Sequence, residues 1–370
     1  VTGFLTPPSA KNYAHPPEIL KELDKASGEY VPEIREAYYK ALRRDFASAY
    51  RILEEYTRKL FKAARHLLSN HEWDAAAIIF TSTDRLQHFY WRKPNYIRKH
   101  YVQIDSYLGE IMNASCEEEA EIIVASDHGF RGVDEQFYIN SFLLELGYLK
   151  PVKETAVTEG LRRVGVDRER VVKKLSKAPR ILQAVKKLTP RFMKRKVPVR
   201  MGRRIDQENS VVFALTDTGL FINKALLQGE NSYEFTRKSV AEKMLSVKGS
   251  DGRHLLSTVY EREKVIWGPY VERAPDLFLI PGEGVRIRPE LIPGKISGSI
   301  DEASEVLKRT GDHEMDGILM LFGPSVKRGV KLRKHRIWDV AATILALREA
   351  PIPDYFDLSL IHISEPTRPR

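Results

Sequence analysis

Three short stretches of this 370-residue chain place carboxylates beside imidazoles. They are Thr83-Asp84-Arg85-Leu86-Gln87-His88, Ser126-Asp127-His128-Gly129-Phe130 and Gly311-Asp312-His313. Asp84 and His88 are four residues apart, so a helix starting near Asp84 would put both on one face. For Asp84 alone, capping such a helix is an equally good reading. Asp127 and His128 are adjacent and follow the apolar run Ile122-Ile123-Val124-Ala125. A strand ending there would present a hard and a borderline ligand side by side, at the strand end where α/β sheets collect their chemistry. His313 precedes a second apolar run, Ile318 to Phe322. Taken together, Asp84, His88, Asp127, His128 and His313 are the ligand types of a two-metal centre, in which ions about 3.5–4 Å apart clamp a phosphoryl group. Mixed nitrogen and oxygen ligation suits Zn²⁺.

The elements that must hold these residues follow from apolar patterning. Residues 73–80 are a nearly unbroken apolar run, which predicts a parallel strand buried on both faces. Residues 121–125 predict a second strand, and residues 96–112 an amphipathic helix between the two. Strand, helix, strand is a right-handed crossover by default, which sets Asp84 and Asp127 on one sheet edge. Residues 33–70 predict a long packing helix. Residues 137–149 form a short element, residues 211–223 return to a sheet, and residues 235–245 are helical. Further strands are predicted around 259–263 and 276–281, with a Gly/Pro-rich loop over 282–298. His313 is expected in a loop before a buried strand, and residues 337–348 in a closing amphipathic helix.

These motifs resemble the alkaline phosphatase superfamily, in its type I phosphodiesterase/nucleotide pyrophosphatase branch. More narrowly, the chain is similar to the predicted phosphohydrolase/phosphomutase proteins of bacteria and archaea. The matching segments also include Val1-Thr2-Gly3-Phe4-Leu5-Thr6-Pro7, Gly219-Leu220-Phe221-Ile222-Asn223, Ala274-Pro275-Asp276, Asp316-Gly317-Ile318 and Trp338-Asp339-Val340. The resemblance implies an α/β fold, a three-layer sandwich with a mostly parallel central sheet, incomplete at its N-terminus and carrying a basic helical insert. It implies two divalent ions, Zn²⁺ first and Mn²⁺ second, with Asp84, His88 and His313 on one and Asp127 and His128 on the other. It also implies a Thr or Ser nucleophile upstream of Val1, activated by the metals and transiently phosphorylated. On that reading the chain is a fragment with little activity of its own. The implied substrate is a phosphorylated small molecule, as a diester or a monoester. A phosphomutase resembling cofactor-independent phosphoglycerate mutase uses the same ligands and is the nearest alternative.

Composition sets the remaining bounds. The net charge is +10, but residues 161–204 hold seventeen Lys or Arg against two acids, so this stretch is +15 and the remainder −5. The expected organisation is a metal-binding α/β core over 1–150, a basic helical insert or lid over 151–210, the rest of the core over 211–357, and a non-native tail over 358–370. The insert could attract anionic partners. A non-catalytic binding protein using it as its working surface is the reading from another class. It lacks the interleaved aromatics that stack bases, so nucleic acid is not the favoured partner. One cysteine, Cys116, excludes an internal disulfide and a thiolate zinc cluster. No run is long enough to span a membrane, and no leader is visible, so a cytoplasmic location is expected.

Overall fold

The computed structural model describes residues 13–32, 34–116, 120–152, 205–229, 231–302, 309–332, 335–353 and 356. The basic stretch 161–204, the first twelve residues and the tail lie outside these. The chain divides into two compact units, one comprising Val1–Val133 with Ala303–Arg370 and the other Asp134–Glu302. No helix among the described residues is long and apolar enough to cross a membrane.

The first unit contains helices α1 (Ile19–Ser27), α2 (Arg35–Leu42), α3 (Phe46–Asn70), α4 (Ser82–Tyr90), α5 (Pro94–Cys116) and α8 (Asp339–Leu347). It also holds strands β1 (Ile122–Ala125), β2 (Gly129–Gly132), β10 (Gly311–Glu314) and β11 (Leu319–Phe322). The helix expected over 33–70 is broken in two. Arg44 adopts a φ of 60°, and Asp45 then caps α3 by accepting from the Ser48 amide at 3.3 Å. An aspartate gains more by satisfying a free helix-start N–H than by lying inside a helix. Ala49, Tyr50, Leu53, Thr57, Phe61 and Ala64 recur at helical spacing and form the buried stripe of α3. Tyr50 and Leu53 join Ala37 and Ala41 of α2 and Leu86, Phe89 and Tyr90 of α4 in one apolar cluster.

Residues 75–80 are not a strand. They run without a sheet partner among the described residues, and Ile79 is 70% exposed. An apolar run becomes a strand only where a second strand meets its backbone groups, and β1 instead pairs antiparallel with β11, Ile122 opposite Phe322 and Ala125 opposite Leu319. The expected parallel crossover between 75–80 and β1 is therefore not formed. The mostly parallel sheet is likewise absent from the described pairings, of which only β3 with β8 is parallel.

The second unit holds β3 (Glu135–Tyr138), α6 (Ile139–Glu145), β4 (Val212–Ala214), β5 (Gly219–Ile222), α7 (Ser232–Ser246), β6 (Leu256–Glu261), β7 (Leu277–Pro281), β8 (Val285–Arg288) and β9 (Ser297–Ser299). Its sheets run in the orders β8-β3-β9 and β4-β5-β7-β6. The loop expected over 282–298 thus contains one strand and begins another. Flanking glycines and prolines disguise β8, whose alternate residues Val285 and Ile287 enter the core with Phe137. Leu220, Met244, Leu255 and Leu277 complete that core, each worth about 1.5–3 kcal/mol in burial.

Candidate metal centre

The centre is built where α4 crosses the ribbon of β2 and β10. These strands pair antiparallel, with Gly132 opposite Gly311 and Phe130 opposite His313. Strand periodicity sends both pairs to one face. The two glycines leave that face bare, and Trp91, just past α4, lies on it. A Cβ on Gly132 would come within 2.8 Å of the Trp91 indole nitrogen. One on Gly311 would collide with the Gln87 carbonyl and press Trp91 Cβ at 3.2 Å. The helix can therefore settle against the ribbon and bring Asp84 and His88 over His313. Phe130 fills the space between, edge-on to His88 at 5.0 Å and to His313 at 5.3 Å.

Thr81 occupies the N-cap position of α4, so Asp84 lies inside the first turn and the capping reading of this residue is not realised. Asp84 Oδ1 is 3.1 Å from His313 Nε2 and 3.4 Å from His88 Nε2, and the two imidazole nitrogens are 3.2 Å apart. The His88 Nδ1–H donates to the Gly311 carbonyl at 3.1 Å, which leaves the Nε2 lone pair facing the cluster. His88 is 7% exposed and His313 half-exposed, so the cluster is closed on the helix side and open on the other.

His128 approaches from the β1–β2 turn. Its ring stacks on His313 with centroids 3.7 Å apart, and its Nε2 is 3.8 Å from Asp84 Oδ1 and 3.6 Å from Asp127 Oδ2. The His128 Nδ1–H donates to the Gly129 carbonyl at 2.9 Å, again freeing Nε2. The turn is held against residues 314–318: Ser126 Oγ accepts from the Ile318 amide at 2.8 Å, and its own amide donates to Ile318 O at 3.0 Å. Gly129 and Gly317 permit this contact. A side chain on Gly129 would strike the Asp316 carbonyl, and one on Gly317 the Ser126 hydroxyl.

Burial pushes the Asp84 carboxyl up, but hydrogen bonds and positive charge from His313 and His88 outweigh it and hold the group well below the usual carboxylate range. The Asp84 hydrogen bond raises His313, against burial and with help from Asp312 and Asp127. Both shifts have one cause, the contact between Asp84 and His313, which favours the carboxylate anion and positive charge beside it.

Asp84, His88 and His313 form one ligand group with His128 stacked against it, whereas Asp127 is largely exposed and lies beside its neighbour His128, and His313 is on strand β10 and not in a loop. The Gly311 and Gly129 carbonyls that set the imidazole tautomers were not foreseen as functional, nor was the Gly132–Gly311 floor. Glycine at two positions later paired across strands is their only trace in sequence.

The donor set fits a divalent cation. Ligand bonds near 2.05 Å in a tetrahedral shell separate neighbouring ligand atoms by about 3.3 Å, and the three separations here are 3.1, 3.2 and 3.4 Å. The sequence model of the type I phosphodiesterase / nucleotide pyrophosphatase family matches residues 2–299, and the chain belongs to that family. Membership makes it a phosphoric ester hydrolase by class, in a generally metal-dependent family acting on phosphorylated small molecules. Asp84, His88, Asp127 and His128 fall within the matched range, whereas His313 lies beyond it and joins them through the fold. Comparison with curated proteins and with solved structures gives no match.

Proposed function

We propose that Asp84, His88 and His313 hold one divalent cation, Zn²⁺ or Mn²⁺, that Asp127 and His128 hold a second, and that the pair serves hydrolysis of a phosphate ester. The observation that carries this reading is the triangle of Asp84 Oδ1, His88 Nε2 and His313 Nε2, with His88 locked by Gly311 in the tautomer a ligand needs. Bound cations would neutralise phosphoryl oxygens and activate the attacking oxygen. The chain's own residues do the rest. Asp84 stays ionised at any working pH and supplies the fixed negative charge. His88 is immobilised by burial and its carbonyl partner. Asp127, with an 83% exposed side chain, reaches into solvent on the open side, where a substrate would arrive. Among the described residues no Ser or Thr hydroxyl is hydrogen-bonded to any of the five, so the reading assigns the attack to a Thr or Ser outside them.

The test is turnover of an aryl phosphodiester and an aryl phosphomonoester with added Zn²⁺ or Mn²⁺. It uses this chain and one carrying any residues its gene encodes ahead of Val1. The expected result is metal-dependent release of the aryl alcohol from one ester, lost in the Asp127→Ala variant. Absence of turnover of both esters with both cations bound would overturn the hydrolase reading.

A further inference from the structure

Three polar side chains meet behind α4, next to the apolar cluster of α2, α3 and α4. Ser82 opens α4, Thr57 is in α3 and His100 is in α5, and all three are fully buried. Ser82 Oγ is 2.9 Å from His100 Nε2 and 2.8 Å from Thr57 Oγ1, and the Thr57 hydroxyl is also 2.7 Å from Leu53 O. His100 Nδ1 has no hydrogen-bond partner among the described residues. A buried nitrogen left unpaired costs stability, and apolar side chains of the same shape would avoid that cost. Packing alone therefore does not account for a hydroxyl meeting an imidazole here, but its place on α4 does. Two residues separate Ser82 from Asp84, about 200° of helix, so Ser82 faces α3 and α5 while Asp84 faces the ribbon. Thr81, at the N-cap, makes no side-chain capping hydrogen bond, so the turn that carries Asp84 has no cap of its own to hold it.

We propose that Ser82 and His100 are positioning residues for the metal centre: their hydrogen bond fixes the rotation of α4 about its axis, and with it the place of Asp84 and His88 over His313. This rests on the reading that Asp84, His88 and His313 hold a cation. The end of α4 has its own anchor, the Tyr90 hydroxyl donating to Phe46 O, and Ser82 is the anchor at the start. Between them Leu86 and Phe89 pack apolar surface, and apolar contact is non-directional. Hydrogen bonds prefer particular distances and angles, so they resist turning. The leverage is large because ligand atoms lie well off the axis. At about 5 Å from it, a turn of roughly 10° moves an atom by about 0.9 Å. A working site holds its ligands to within about 0.5 Å. The support behind Ser82 is firm, since α5 is tied to α3 by Phe61 stacked on Tyr107 at 4.1 Å and by Gln103 donating to Glu54 O at 3.2 Å.

The experiment is zinc titration of the metal-stripped chain against a chromophoric chelator, for the parent, S82A, H100M, H100Q, L23A and D84N. The equivalent missing from D84N marks the Asp84 site. Alanine is the better helix former, so S82A removes the anchor without weakening α4 itself. Its zinc affinity at that site is expected to fall about tenfold or more at unchanged stoichiometry, and that of H100M likewise. H100Q is expected to stay near the parent, because its amide nitrogen reaches where Nε2 stood. Leu23 is buried in α1, which packs on α3 away from α4. L23A should lower Tm yet keep parent affinity, which separates positioning from general stability. Parent-level affinity in S82A would overturn the proposal, as would equal weakening in S82A and L23A. Should H100M fail to fold, S82A decides alone. A parent without the equivalent that D84N lacks would overturn the metal reading and this proposal together. Parent-level S82A with that equivalent present overturns this proposal only.

Discussion

Asp84 Oδ1 and His313 Nε2 are 3.1 Å apart although 229 positions separate them in the chain. The contact exists because α4 rests on the glycine floor of the β2–β10 ribbon, and it gives the cluster its charge. Replacing Asp84 by Asn keeps the shape and removes the anion. We expect zinc affinity at this site to fall by more than about 100-fold, beyond the loss typical of supporting residues. Competition titration measures it, and an unchanged affinity would exclude Asp84 as a ligand.

The floor itself can be tested by adding one methyl group. Gly132→Ala brings a Cβ against Trp91, and we expect it to destabilise the chain by roughly 1–3 kcal/mol and to weaken metal binding. Gly109→Ala, in the middle of α5 with no heavy atom within 4 Å of the added carbon, is the control and should stabilise by about 0.5–1 kcal/mol. Denaturant melts of both variants decide the matter. Equal effects would mean that α4 does not press on the ribbon.

His100 offers a pH signature. It is fully buried, its Nε2 is hydrogen-bonded to Ser82 Oγ at 2.9 Å, and the Thr57 hydroxyl lies 2.8 Å from Ser82 Oγ and 2.7 Å from Leu53 O. Burial pushes the imidazole down from 6.5 to about 4. Between those values the unfolded chain binds a proton that the native chain refuses, so this residue makes stability fall as pH drops from 6.5 to 4 and level off below. The full effect is roughly 3 kcal/mol. Stability of parent and His100→Gln at pH 7 and pH 4.5 should show the gap between them narrowing or reversing at the lower pH. A constant gap would mean His100 titrates normally.

In the second unit, Asp276 ties three elements together. Its carboxylate accepts from the Ile222 amide at 2.7 Å and the Tyr233 hydroxyl at 2.7 Å, and faces Arg262 Nη1 at 3.4 Å. Arg262 is 3% exposed and also pairs with Glu272 at 2.9 Å and Glu263 at 3.2 Å, so removing Asp276 takes one of its acidic partners and leaves the Ile222 amide and the Tyr233 hydroxyl without theirs. Asp276→Ala should cost roughly 2–4 kcal/mol, chiefly from these two orphaned donors, while zinc stoichiometry of the folded protein stays the same. Loss of metal in a folded variant would refute that separation.

What could be read from the sequence divides along physical lines. Asp84 and His88 were legible because a four-residue spacing has one meaning on a helix, and Asp127-His128 because an apolar run announces the strand before it. His313 was legible as a candidate, but its partner Phe130 was not, since strand register depends on long-range pairing that local pattern does not encode. The same limit explains residues 75–80. Their apolar composition suits a buried strand, yet what decides the state is a neighbouring strand, and β1 has taken β11 instead. Strand β8 was hidden for the opposite reason, being flanked by glycines and prolines that usually mark a loop. Asp45 could have been foreseen as a helix cap, but the surrounding helical periodicity masked it.

The central claim is that the two clusters around Asp84 and Asp127 hold metal. The direct measurement is metal content by mass spectrometry of parent, Asp84→Ala and Asp127→Ala after zinc saturation and desalting, on protein shown to be folded. Each variant is predicted to lose one equivalent relative to the parent. Parent-level metal in both variants would contradict the account.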